Sequence, residues 1–165
     1  MSTSDLYFVN KKSTRHIAEF RDGHGTAPVL WSVLCVEYLG WDEYDWSFGH
    51  EGKMRSLWEL AFDPRVPFHL RLCHAFTFDR AVCPKDKLLE LASACVETSD
   101  KIPPGKINHW KAIADMLLKL RTPGQSIGVA LSPTSVSDCW LDWKGQTKIW
   151  LITDEVKPSI REISL

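Results

Sequence analysis

Residues 26–40 read TAPVLWSVLCVEYLG, and no other stretch of the chain limits the possible folds as strongly. Thr26 suits an N-cap, Pro28 falls in the first turn where its missing N–H costs nothing, and Gly40 is placed to end the helix in a left-handed conformation. Between them Val29, Leu30, Trp31, Val33, Leu34, Cys35, Val36, Tyr38 and Leu39 leave almost no polar face. A helix that is apolar around its circumference needs burial on nearly every side. The run is broken by Ser32 and Glu37 and falls well short of the ~20 residues that a membrane span needs. It reads as a core helix around which other elements pack.

The remaining residues supply those elements. Residues 5–10 (DLYFVN) read as a short strand, and Ser13 is placed to cap a helix through Phe20 with Ile17 and Phe20 inward. Met54, Leu57, Trp58 and Ala61 follow helical spacing, with Asp63-Pro64 as the stop. Residues 68–78 alternate: Phe68, Leu70, Leu72, His74, Phe76 and Phe78 share one face, and His69, Arg71, Cys73, Ala75 and Thr77 the other. That is a strand pattern, although a helix beginning at Pro67 also places Phe68, Leu72 and Phe76 together. Pro84 opens a helix with Leu88, Leu89, Ala92, Cys95 and Val96 as its stripe. Asn108 caps another with Trp110, Ile113, Ala114 and Leu117 inward and Lys111, Asp115 and Lys119 outward. SIGVAL, SDCWLDW and TKIWLIT are strand-like, the last two joined by Lys144-Gly145-Gln146 as a hairpin. Helices and strands do not alternate regularly, so the expected class is α+β: a mainly antiparallel sheet packed with about five helices, one of them nearly fully buried. A chain of 165 residues with 44% hydrophobic and 25% charged residues is expected to form one globular domain, with residues 154–165 a frayed tail or an edge strand.

Charge and cysteine usage narrow the function classes. Twenty basic residues face twenty-one acidic ones, a formal net charge of -1, which gives no general drive toward nucleic acid or anionic lipid. Only Lys11, Lys12 and Arg15 form a local basic cluster. The opening MSTSDLYFVNKK has no secretory signal pattern, and five cysteines (Cys35, Cys73, Cys83, Cys95 and Cys139) lack CxxC spacing. Both features fit reduced thiols in a cytoplasmic protein.

Three groups of residues carry possible chemistry. The quartet GHGT at Gly23, His24, Gly25 and Thr26 resembles the catalytic-histidine segment of subtilases. The Asp-Ser/Thr-Gly and Gly-Thr-Ser segments that the resemblance implies are both absent, so no triad can be assembled. Gly23-x-Gly25 also begins like a dinucleotide fingerprint, but Pro28 stands where the third glycine belongs. What remains is an anion held at the helix start, or simply a helix-to-helix corner.

The second group is the strand face with His69, Arg71 and Cys73, near Asp79. A positive neighbour would lower the thiol pKa and make Cys73 a nucleophile; the bland reading is a half-exposed sheet surface. A zinc site from His69, Cys73, His74 and Cys83 is rejected, because His74 points to the opposite side of a strand and the spacing matches no common module. No metal and no cofactor are expected.

The third group is GWDEYDWSFGHEG at 40–52, where Trp41, Tyr44, Trp46 and Phe48 interleave with Asp42, Glu43, Asp45 and Glu51. Aromatics supply contact energy, and carboxylates select a basic partner and speed its encounter. The alternative is a strap with its rings on the core and its acids in water. Eight tryptophans are more than one small core readily absorbs, which draws attention to this loop. The expected function is protein binding, of an inhibitor or immunity type, through Trp41, Asp42, Glu43, Tyr44, Asp45, Trp46 and Phe48. The partner is another protein with a basic surface, and neither nucleic acid nor membrane is favoured. Alternatives are a small enzyme using Cys73, His69 and Arg71, or an anion or nucleotide ligand at residues 23–26. The sequence carries no signal of oligomeric state.

Overall fold

The computed structural model describes residues 3–10, 13–45, 51–78, 81–121, 123–132, 148–152 and 158–162, with backbone alone for 51–53, 148–152 and 158–162. Strand β1 (Thr3–Asn10) turns back into β2 (Thr14–Arg21) through a bond from Asn10 N–H to Ser13 O at 2.9 Å. Helix α1 (Ala27–Leu34) follows, then α2 (Glu51–Glu59) and α3 (Phe68–Phe76). Strand β3 (Ala81–Pro84) leads to α4 (Leu88–Ser99) and α5 (Trp110–Lys119). Strands β4 (Ser126–Ser132), β5 (Lys148–Ile152) and β6 (Pro158–Glu162) complete the described elements.

The sheet order is β2-β1-β4-β3-β5-β6. The first four strands are antiparallel to their neighbours, β5 lies parallel to β3, and β6 returns antiparallel to β5 at the edge. This is the α+β class expected, with five α-helices among the described residues. Leu6 and Phe8 of β1 and Val129 and Leu131 of β4 face one continuous cluster that includes α1, α3, α4 and α5. Tyr7, Val9 and Ala130, on the opposite face of the same strands, are buried as well.

Two expected elements change type, and the helix count survives because they exchange. The segment expected as a helix from Ser13 through Phe20 instead forms β2, Thr14–Arg21. Strand β1 is buried along Leu6, Tyr7, Phe8 and Val9 and needs a ladder partner on each side; pairing with β2 from Thr3–Arg21 to Val9–Thr14 supplies one. That demand outweighs the weak helical preference of the segment. Residues 68–78 are helical at Phe68–Phe76, not a strand, so the two faces assigned by alternation dissolve. Both periods fit the apolar positions, and packing decides: Leu72, Cys73, His74, Ala75 and Phe76 are all buried, which a two-faced strand on a half-solvated sheet does not achieve. The expected strand at SDCWLDW and its hairpin lie outside the described residues.

Helix α1 is buried at every position and continues as a widened π-type turn over Cys35–Leu39, where Val36 and Glu37 emerge. Gly40, at φ 67°, ends it as expected. Around α1 the aromatics knit together. Trp31 donates to Thr77 Oγ1 at 3.0 Å and meets Trp58 edge-on at 5.3 Å, and Trp58 stacks on His74 at 5.4 Å. Trp110 is fully buried, and Trp41 and Trp58 pack partly buried against the core.

His74 is wholly enclosed, its Nε2–H bonded to Leu57 O at 2.8 Å, and burial pushes its pKa down from 6.5 to about 4. The native state therefore holds the ring neutral where the unfolded chain protonates it. Stability from this group is complete above about pH 6.5, falls as the pH drops toward 4, and changes no further below that. The loss amounts to about 3 kcal/mol. Urea midpoints measured across this range are expected to fall for the wild type and to flatten in His74→Phe.

Strands β3 and β4 approach so closely at Gly128 that a Cβ there would lie 2.0 Å from Cys83 O. Gly128→Ala must spread the two strands, and a loss of about 2–3 kcal/mol is expected in urea denaturation.

Candidate functional site

The surface on which the candidate residues converge lies over α1. Its stripe Val29, Ser32, Val33 and Val36, at i, i+3, i+4 and i+7, forms the floor of a groove walled by residues 41–45 and 101–107. Two adjoining cavities occupy it. One, of about 210 Å³, is lined by His24, Pro28, Val29, Tyr44 and Ile107 among others. The other, of about 280 Å³, runs along Val33, Val36 and Glu37 to Lys101 and Pro103. Both are bordered by Val29, Ser32, Glu43 and Lys106.

The walls are held from below. Trp41 N–H donates to Cys35 O at 3.1 Å and its ring packs on the core, which anchors the acidic loop to the widened end of α1. Asp45 N–H bonds Asp42 O at 3.1 Å, closing the tight turn that presents Tyr44, 47% exposed. On the far wall Asn108 Nδ2 donates to Ser99 O at 3.0 Å and its Oδ1 accepts from Trp110 N–H at 3.1 Å, so the expected capping residue also ties the loop to α4. The ammonium of Lys106 pairs with the Glu43 carboxylate, donates to the Tyr44 hydroxyl at 3.5 Å and lies 5.5 Å from the centre of the Tyr44 ring. The hydrogen bond from Lys106 holds the Glu43 carboxyl below its ordinary range, and the same bond raises the Lys106 ammonium.

Of the expected binding residues, the structure brings Glu43 and Tyr44 into the groove and leaves Asp42 exposed beside it. Trp41 belongs to the core side of the loop, and Trp46 and Phe48 lie outside the described residues. The loop thus combines the two readings open in the sequence: a ring inward at Trp41 and a ring outward at Tyr44. Lys106 was not foreseen. Its position 62 residues after Tyr44 leaves no local pattern to find it by.

The GHGT segment is a satisfied corner. Asp22 adopts φ 60°, Gly25 N–H donates to Asp22 O at 3.0 Å, and Thr26 N–H to Gly23 O at 3.3 Å. Thr26 Oγ1 also donates to Gly23 O at 2.8 Å and accepts from Ser4 Oγ, and both Gly23 and Gly25 are buried. The amides of Gly25 and Thr26 that an anion would use are already engaged. His24 alone reaches solvent, at the edge of the smaller cavity.

The Cys73 group rested on a strand and loses its shared face in a helix. Two residues along α3 is about 200° of rotation, so Arg71 points away from both His69 and Cys73. The His69 ring lies against Glu97, with Nδ1 to Oε2 at 3.3 Å, and burial lowers its pKa. Cys73 is fully buried with its Sγ 3.8 Å from Cys95 Sγ. Burial raises the thiol pKa of Cys83 and Cys95. Asp79 lies outside the described residues. With Cys139→Ser in place, iodoacetamide is expected to label the native protein more slowly than free cysteine at neutral pH, and to reach Cys35, Cys73, Cys83 and Cys95 only in denaturant.

Among the described residues no helix is long and apolar enough to cross a membrane. Comparisons with protein-family models, with curated proteins and with solved structures found no match.

Proposed function

We propose that this chain is a protein-binding domain of the inhibitor or immunity type, and that the groove between residues 41–45 and 101–107 is its recognition surface. The partner is a protein that presents a basic segment. The observation that carries this reading is Tyr44: a half-exposed aromatic on a loop anchored through Trp41, set at the mouth of a cavity and flanked by Asp42 and Glu43. Exposed tyrosines on rigid supports contribute contact area at low entropic cost and are enriched among residues that dominate binding energy. Carboxylates at the rim attract a basic surface and raise the rate of encounter. Buried free thiols at Cys35, Cys73, Cys83 and Cys95 suit a reducing compartment, which supports a cytoplasmic location as part of this reading.

Affinity capture from the source organism, with wild-type, Tyr44→Ala and Asp42→Lys baits, tests this function. A basic partner is expected on the wild-type bait. Tyr44→Ala should weaken its binding about tenfold with no change in melting temperature. Asp42→Lys should slow association and remove much of its salt dependence. Trp41→Ala, by contrast, is expected to lower the melting temperature, because its ring packs on the core. Equal capture by the wild-type, Tyr44→Ala and Asp42→Lys baits would remove the groove as the recognition surface.

A further inference from the structure

Building on that binding reading, we infer that Lys106 is an internal stand-in for a basic side chain of the partner: the partner's arginine or lysine displaces it from Glu43 and Tyr44 and joins the two cavities into one continuous groove. A carboxylate beside an aromatic face is the chemistry that recognises an ammonium or guanidinium. The chain already satisfies that site from within, by the Glu43 carboxylate, the Tyr44 hydroxyl at 3.5 Å and the Tyr44 ring at 5.5 Å.

The bond is placed to be exchanged. The side chains of Lys106 and Glu43 are 36% and 41% exposed, so a competing cation reaches Glu43 without opening the core. A surface ion pair of this kind contributes little to folding. Lys106 sits on the turn closed by its own N–H to Pro103 O at 3.3 Å, and the position where the neighbouring Gly105 would carry a side chain is open. Its side chain can therefore swing into solvent while the backbone of the wall stays fixed through Asn108.

The boundary between the cavities also lies here, since Glu43 and Lys106 line both. Moving the lysine aside leaves Val29 and Ser32 as a shared floor that continues through Val33 to Val36, 51% exposed beside the Glu37 carboxylate. The matching ligand is an extended segment with a basic residue for Glu43 and an apolar neighbour for Val36. Arginine fits better than lysine, because its planar guanidinium bonds a carboxylate through two N–H groups and stacks on a ring.

Fluorescence anisotropy with a short labelled peptide alternating arginine and leucine provides the test, with the same peptide carrying glutamate for arginine as control. Lys106→Ala is expected to bind the basic peptide roughly three- to tenfold more tightly than wild type. Lys101→Ala removes an equal charge from the same rim without touching Glu43 and should gain less. Glu43→Gln combined with Lys106→Ala should lose the gain, and the acidic peptide should bind none of the variants. The internal stand-in is overturned if Lys106→Ala gains nothing, or if Lys101→Ala gains as much. Partner capture dependent on Tyr44 would then still support the groove as a binding surface, whereas loss of both responses would remove that surface as well.

Discussion

The described structure hangs on the corner at residues 22–26, where four elements meet through hydrogen bonds, those of Ser4 and Trp110 to Thr26 being buried. Trp110 at the start of α5 donates its indole N–H to Thr26 O at 3.1 Å, and His109 N–H donates to Gly25 O at 2.8 Å. The His109 ring returns to the end of β2 through Arg21 O at 2.8 Å, and Ser4 of β1 reaches the Thr26 hydroxyl. Gly25 has to be glycine, since a Cβ would lie 2.5 Å from Ile107 and 2.6 Å from His109. A buried polar group left without its partner costs more than the bond contributes when made, so this corner holds one arrangement.

The groove inherits its geometry from the corner. The same bonds that start α1 also fix His109, and with it the wall of residues 101–107, against the floor formed by α1. The acidic loop is attached independently, through Trp41 and the widened turn of Cys35–Leu39. A π-type turn shifts the register of the helix it ends, and here it carries Val36 and Glu37 out of the core and to the rim. Floor and walls are therefore held for different reasons, and the exposed contacts of Lys106 with Glu43 and Tyr44 lie between them, where solvent and other ions can exchange them.

Much of the interior was legible from local pattern. Thr26, Pro28 and Gly40 marked the bounds of the central helix, and its uniform apolarity told of burial that α1 confirms at every position. Ambiguity arose where one pattern fitted two periods, as in residues 68–78, or where a short polar segment had only a weak preference, as in residues 13–20. The candidate site was half legible. Interleaved rings and acids picked out Glu43 and Tyr44, but the opposite inclinations of Trp41 and Tyr44 depend on which side of the loop meets α1. His69, Arg71 and Cys73 formed a group only so long as alternate residues shared a face.

By itself, the sequence determined what depends on neighbours along the chain: the bounds and apolar circumference of α1, the stripe of α5, the core strand β4 and the balanced charge, whereas in α4 only Leu88, Ala92 and Cys95 of the expected stripe are buried and Leu89 and Val96 face solvent. Those signals arise from backbone hydrogen bonding and from the solvent's rejection of apolar surface, both of which act at any position of the fold. Tertiary structure alone decided whether residues 68–76 coil or extend, which face of the acidic loop looks outward, and that Lys106 meets Glu43. Each of these turns on contacts between packed elements, and the energy that selects it is absent from the isolated segment.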